Sequence, residues 1–206
     1  MEGVRLQSIL YSGYAKAALR LGVPYAQYRS STHLLPIAAG NLLRSLPVAF
    51  SADLKFEVPN KYATPTWLLW ADGSLLAQFD FLVGPFGTFF VGSLQPTLPI
   101  QAVQTDKVVS LGRVGYSSSG PLVGSHVNYA TGLPVLMQYK REEIKPSPFA
   151  NAIGEAITRW LVFIPLPNGL VKQDDIMMDE EGIRYIVDAP DFTGVGYVAG
   201  VRKADV

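Results

Sequence analysis

Two carboxylates stand where acids are least expected. Asp80 and Asp175 each interrupt an apolar, strand-like run, Gln78-Phe-Asp-Phe-Leu-Val83 and Gln173-Asp-Asp-Ile-Met-Met178. A pair of carboxylates facing one another could divide general acid and base work, as in glycoside hydrolysis. A carboxylate at the start of a hairpin can instead accept backbone hydrogen bonds, and recurrence at one position of two similar units favours that structural role. The other candidates for chemistry are thinner. Asp174, Asp175, Asp179, Glu180 and Glu181 form an acidic hairpin. It lacks the alternating ligands of a calcium loop and reads as a solvated turn or an edge that meets a basic neighbour. His33 and His126 lie in polar loops without a second ligand at metal spacing. Ser117–Ser119 lack the strand–turn–helix setting of a nucleophile elbow. The Gly-rich tract Gly115–Gly124 lacks the Lys-Ser or Lys-Thr of a phosphate-binding loop. Cysteine is absent, which excludes thiolate metal sites, disulfides and Cys nucleophiles. No catalytic, cofactor-binding or metal residue is assigned, and the chain is read as a non-enzyme.

The elements that position the two carboxylates are written twice. Leu75–Val91 reads as two short strands around the turn Gly84-Pro85-Phe86-Gly87, and Leu170–Ile186 repeats it 95 residues later. Leu75/Leu170, Gln78/Gln173, Asp80/Asp175 and Gly87/Gly182 are identical, while Phe90/Tyr185 and Val91/Ile186 keep their apolar character. Pro85 and Asp179 favour a type I turn, and Gly87 and Gly182 are expected to close it with positive φ. Upstream, Thr66–Trp70 matches Arg159–Phe163 at an offset of 93. Downstream, Ile100–Val103 is set against Val195–Val198 at 95. A repeat of this kind predicts a mainly β chain: two tandem small β-barrel-like units related by internal duplication, preceded by a helix and a Pro-rich extended arm. The expected segments are 1–66 for helix and arm, 67–113 for the first unit, 114–159 for a flexible loop and linker, and 160–206 for the second unit. Trp67, Trp70 and Trp160 could stack on sugars, but tryptophan at a repeated strand start is expected in the core.

Elsewhere the pattern is plainer. Leu6, Ile9, Leu10, Tyr14, Ala17, Ala18 and Leu21 fall on one helical stripe that Gly22 and Pro24 terminate, predicting a helix over 6–21. Its apolar stripe requires cover, from its own barrel or from a neighbouring subunit. From Tyr25 to Thr66 the chain is broken by prolines, with Leu46–Phe50 and Leu54–Val58 as short edge strands. Leu133–Tyr139 reads as a strand, Lys140–Lys145 as a charged link, and Phe149–Ile157 as a helix after Ser147-Pro148. With 49% hydrophobic and only 17% charged residues, and 17 basic against 17 acidic side chains, the surface is pale and neutral. Such a surface points to cover by partners and away from nucleic-acid binding, which needs clustered cations. No apolar run reaches membrane-spanning length and the N-terminus lacks a signal-peptide pattern, so synthesis in the cytoplasm is expected.

Tyr11-Ser-Gly-Tyr-Ala-Lys-Ala-Ala18 with Leu21–Arg29, and Asp80–Val83 with Gly87–Val91 and Gln95–Ile100, resemble uncharacterised proteins encoded in bacteriophage and prophage virion-gene clusters. The hairpin unit also resembles the small β-barrels of head–tail joining and tail-completion proteins, which have one barrel where this chain is expected to have two. That resemblance carries no catalytic residues. It implies a structural virion protein assembled in the bacterial cytoplasm, a ring-forming subunit of neck, tail or baseplate whose partners are its own copies and other virion proteins. No cofactor, membrane or sequence-specific nucleic acid is implied, and a tail-tip receptor- or glycan-binding module is the alternative.

Overall fold

The computed structural model describes residues 2–52, 66–117, 120–141 and 158–204. Helix α1 (Glu2–Leu21) leads into β1 (Val23–Tyr28), β2 (Leu42–Ala52), β3 (Thr66–Trp70), β4 (Phe81–Gly84), β5 (Gly87–Ser93) and β6 (Ile100–Gln104). These six strands close into an antiparallel barrel in the order β1-β2-β3-β6-β5-β4. A second barrel follows at once, from β7 (Lys107–Ser117), β8 (Gly120–Arg141), β9 (Thr158–Ile164), β10 (Ile176–Asp179), β11 (Arg184–Thr193) and β12 (Gly196–Lys203). Its closed order is β10-β11-β12-β9-β8-β7. Counted from the first strand of each, both barrels run first, second, third, sixth, fifth, fourth.

The mainly β architecture with an N-terminal helix is as expected, but the segment boundaries differ. Where it is described, up to Ala52, the Pro-rich stretch after Tyr25 is not an arm: β1 and β2 are two staves of the first barrel, so Leu46–Phe50 is no edge strand. Pro24 pairs with Pro47. Both fit because β4 reaches only Ala26–Tyr28 of β1 and β3 reaches only Ala49–Ala52 of β2, so neither proline faces a second strand that needs its missing N–H. Likewise the expected loop from residue 114 onward is a hairpin. β7 and β8 pair from Lys107↔Val135 out to Ser117↔Gly120. The second barrel therefore begins at Lys107 rather than Trp160. The Leu54–Val58 strand, the helix over Phe149–Ile157 and all of the Lys140–Lys145 link beyond Arg141 fall outside the described residues.

The two hairpins form where expected. Phe81 pairs with Phe90 in one, and Ile176 with Ile186 in the other. Gly87 has φ 111° and Gly182 φ 80°, and the Gly182 N–H closes its turn on the Asp179 carbonyl at 3.1 Å. The second turn holds one more residue, so the match slips after it. Val91 corresponds to Val187, and Phe89 to Tyr185. Trp67 pairs with Ala102 and Trp160 with Val201, so the counterpart of Ile100–Val103 is Ala199–Arg202 rather than Val195–Val198. Gly87→Val and Gly182→Val are each expected to lose more than ~1 kcal/mol, because a β-branched residue is strained at positive φ. Unchanged thermal melts in both variants would refute this. Around Gly182 there is open space, so its loss isolates backbone strain from crowding.

Alternation sorts each barrel's side chains. Tyr25, Leu46, Val48, Leu69, Leu82, Phe89 and Val91 fill the first interior. Phe81, Phe90 and Val103 form a row across β4, β5 and β6 that packs with the second barrel's core instead. That is why β5 is buried on both faces while β11 alternates. The seam is also tied by backbone. The Leu35 N–H donates to Thr131 O at 2.8 Å and the Thr131 N–H to His33 O at 3.2 Å, joining the β1–β2 connection to β8. Gln78 Nε2 donates to Gly92 O at 2.8 Å and to Gly194 O at 2.9 Å, joining it to the β11–β12 turn.

α1 begins four residues earlier than expected and lies on β2 and β3 of its own barrel. Its packed face is carried by Tyr11, Tyr14 and Ala18, with Tyr14 edge-on to Trp70 at 5.8 Å. Three of the seven residues of the expected stripe are left outside: Leu6 is 49%, Ile9 60% and Leu21 78% exposed.

Candidate functional site

Asp80 and Asp175 sit one residue before β4 and β10, in matching nests. Each follows a residue at positive φ that has a side chain, Phe79 at 68° and Asp174 at 65°. That left-handed residue turns the chain so that its own N–H reaches Val91 O in one barrel and Val187 O in the other, both at 2.8 Å. The Val91 and Val187 N–H groups return the bond to the Asp80 and Asp175 carbonyls at 2.9 Å. The carboxylate then points inward and is satisfied locally.

Asp80 Oδ2 accepts from the Ala77 N–H at 2.8 Å, Gln27 Nε2 at 2.6 Å and Arg29 Nη2 at 2.7 Å, while Oδ1 accepts from Arg29 Nε at 2.7 Å. Asp175 Oδ2 accepts from the Lys172 N–H, the Tyr129 hydroxyl and Arg113 Nη2, each at 2.8 Å, and Oδ1 from Arg113 Nε at 2.7 Å. Both carboxylates are 1% exposed. The guanidinium in each case forks over the acid and also donates to a backbone carbonyl, Leu75 O or Leu170 O. This bidentate geometry is the strong form of the ion pair. Each acid is committed within its own barrel to an arginine and a backbone N–H, which leaves neither free to share a substrate with the other. The structural role assigned from the sequence is the one observed.

The arginines and their helpers were not legible. Arg29 and Arg113 each lie six residues after the start of a barrel's first strand, Val23 and Lys107, a spacing that the 95-residue repeat does not reach. Gln27 of the first nest has Leu111 in its place in the second, and Tyr129 of β8 supplies the missing donor. Both guanidinium groups are held above the ordinary arginine range, first by the hydrogen bond to the acid. Tyr129 is raised far above the usual tyrosine range by burial and then by its bond to Asp175.

The acidic hairpin does meet a basic neighbour, and it is internal. Lys107 Nζ lies 3.0 Å from Glu181 and 3.9 Å from Glu180. Asp179 turns inward, accepting the Glu181 and Ile183 N–H groups at 3.0 and 2.8 Å and the Tyr185 hydroxyl at 3.1 Å. Burial first, and then the Asp179 charge, push Tyr185 up to about 12. A tyrosine raised in the folded state adds stability in full below the ordinary value near ~10, and that share is lost as pH rises through about 12. The urea midpoint should thus fall between those values, and Tyr185→Phe should lessen the fall. An equal fall in the variant would contradict the assignment.

His33 lines a cleft of about 290 Å³ between the barrels, with Arg29, Pro36, Phe79, Leu133 and Pro165, and burial lowers its pKa. His126 lies within β8 and Ser117 ends β7, while Ser118 and Ser119 fall outside the described residues. Trp67 meets Phe89 edge-on at 6.3 Å, and Trp160 meets Tyr185 at 5.3 Å and Tyr139 at 6.1 Å. Among the described residues no group of three or more His, Asp or Glu could hold a metal ion. Protein-family models, curated proteins and solved structures were compared with the chain, and none matches.

Proposed function

We propose that this chain is a non-enzymatic assembly subunit, built into a symmetric ring of a bacteriophage virion at the neck, tail or baseplate. The observation that carries it is the apolar face that α1 leaves uncovered at Leu6 and Ile9, with Val4, Leu19 and Leu21 also exposed around the helix, on a chain without net charge. A single soluble molecule gains nothing from holding that face in water, whereas a subunit buries it against a neighbour. Two closed barrels suit the task, because closure leaves no strand edges within them and makes each a stiff spacer. The virion assignment rests on the resemblance of the α1 and β4–β5 segments to phage virion proteins. Origin by internal duplication is our reading of the shared strand order and the matching Arg–Asp nests.

Native mass spectrometry of the purified full chain tests this reading. The expected result is one closed oligomer of fixed copy number. A chain that stays monomeric at all concentrations and binds a host glycan would overturn it in favour of the tail-tip module. Nothing in the packing of the tryptophans favours that module, since each makes an edge contact with a neighbouring aromatic ring.

A further inference from the structure

The two arginine–carboxylate nests match in geometry but not in surroundings. In the first barrel residues 29–41 join β1 to β2, whereas β7 and β8 pair out to Ser117↔Gly120. The long β1–β2 connection crosses the seam to β8 and lines the cleft beside Arg29. More than the two Thr131 bonds holds it in place. The Arg29 N–H donates to Asn41 O at 3.0 Å, and Asn41 Nδ2 donates to Leu35 O and Pro36 O, each at 3.2 Å. An ordered connection of this length is usually functional.

Three polar groups of the cleft are unspent. Asp80 and the Leu75 carbonyl engage Arg29 Nε and Nη2, and no described residue bonds its Nη1. The His33 ring and the Thr32 hydroxyl also lack a hydrogen-bond partner among the described residues. Apolar walls stand around them, with Phe79 held in the lining by its left-handed backbone and Pro36 and Pro165 beside it. Apolar walls with a few placed polar groups are the make-up of a small-molecule site, and about 290 Å³ is room for little more than a single ring.

We propose that this cleft binds a small organic acid, its carboxylate on Arg29 Nη1, the Thr32 hydroxyl and the His33 ring, and its apolar body against Phe79 and the prolines. Arg29 and Asp80 are the only other charged or titratable groups that line the cleft among the described residues. Asp80 already balances Arg29, so the charge that offsets a second carboxylate comes from His33. Burial keeps the free imidazole neutral at neutral pH, and an anion beside it favours the imidazolium. Binding therefore takes up a proton from solvent. A free acid and the C-terminal residue of another chain present the same carboxylate on an apolar group, and the cleft recognises that shared chemistry.

Isothermal titration calorimetry of the full chain with benzoate tests this, in buffers of different protonation enthalpy. A Kd of about 1 mM or tighter is expected near pH ~6, with net proton uptake. Above about pH 6.5 the affinity should fall by as much as tenfold per unit, because the complex holds a proton that the free protein lacks. Benzamide has the same ring without the charge and should bind at least about tenfold more weakly. His33→Gln should abolish the proton uptake and flatten the pH dependence, while His126→Gln should leave both as in the parent. A thermal melt checks that both variants keep the fold. A tripeptide ending in phenylalanine separates the two sources: tighter binding than benzoate assigns the cleft to a chain end, and binding no tighter assigns it to a free acid. No binding of either probe, equal affinity for benzamide, or proton uptake that survives in His33→Gln would each overturn the proposal and leave the ring reading untouched.

Discussion

Asp175→Ala is expected to cost about 3 kcal/mol of stability, and Asp80→Ala about the same. Each substitution strands a part-buried backbone N–H, of Lys172 or Ala77, together with a side-chain donor, the part-buried Tyr129 hydroxyl or the buried Gln27 amide. It also leaves a guanidinium without its counter-charge. Arg29 and Arg113 remain 43% and 41% exposed, so water recovers part of that loss, and the figure sits at the lower end for a broken buried pair. Asp→Asn keeps one acceptor oxygen and should lose less than Asp→Ala at both sites. Equilibrium urea unfolding checks the series. Losses under about 1 kcal/mol in both alanine variants would show that the nests do not hold the hairpins.

Gly196→Ala is expected to be as damaging, for a different reason. Gly196 opens β12 with φ 115°, and a Cβ there would lie 2.7 Å from Ile164 O, a backbone atom that cannot turn aside. Positive-φ strain and a steric clash add, and about 3 kcal/mol or more should be lost. Gly182→Ala is the control, with φ 80° and open space around it, and should lose only about 1 kcal/mol. Equal melting points for the two variants would refute the steric share.

The parts that were legible in the sequence are those written by local chemistry. Turn residues and alternation locate both hairpins, and the positive φ of Gly87 and Gly182 follows from the turns they close. Trp67 and Trp160 correspond as expected because the strands that carry them pair at the same rung with β6 and β12. What failed was distance along the chain. The lag between equivalent residues grows from 84 at Arg29/Arg113, through 95 at Asp80/Asp175, to 99 at Ala102/Val201, because the second barrel uses longer strands in its β7–β8 and β11–β12 hairpins and a longer β10–β11 turn. A single fixed offset therefore catches the middle of the unit and misses its ends. The first two strands show this best. Leu46-Pro-Val48 recurs as Leu133-Pro-Val135 at a lag of 87, with Leu46 opposite Tyr25 and Leu133 opposite Val109. Prolines in that stretch read as an extended arm, since a proline removes a ladder donor, and only the short reach of the neighbouring strands makes them harmless.

The carboxylates were placed correctly and their partners were not, for a related reason. An acid inside an apolar run is a local anomaly, visible by inspection. Its arginine lies more than fifty residues away, brought back by barrel closure where β1 meets β4 and β7 meets β10. The helix was half legible as well. Its apolar stripe is wider than the barrel surface it covers, and the uncovered part marks the face assigned to a neighbouring copy.

Electron cryomicroscopy of the intact particle tests the assembly reading most directly. It should show the two-barrel body repeated around a ring near the tail, with α1 buried between adjacent copies. A body standing alone at a fibre tip, with α1 open to solvent, would contradict it.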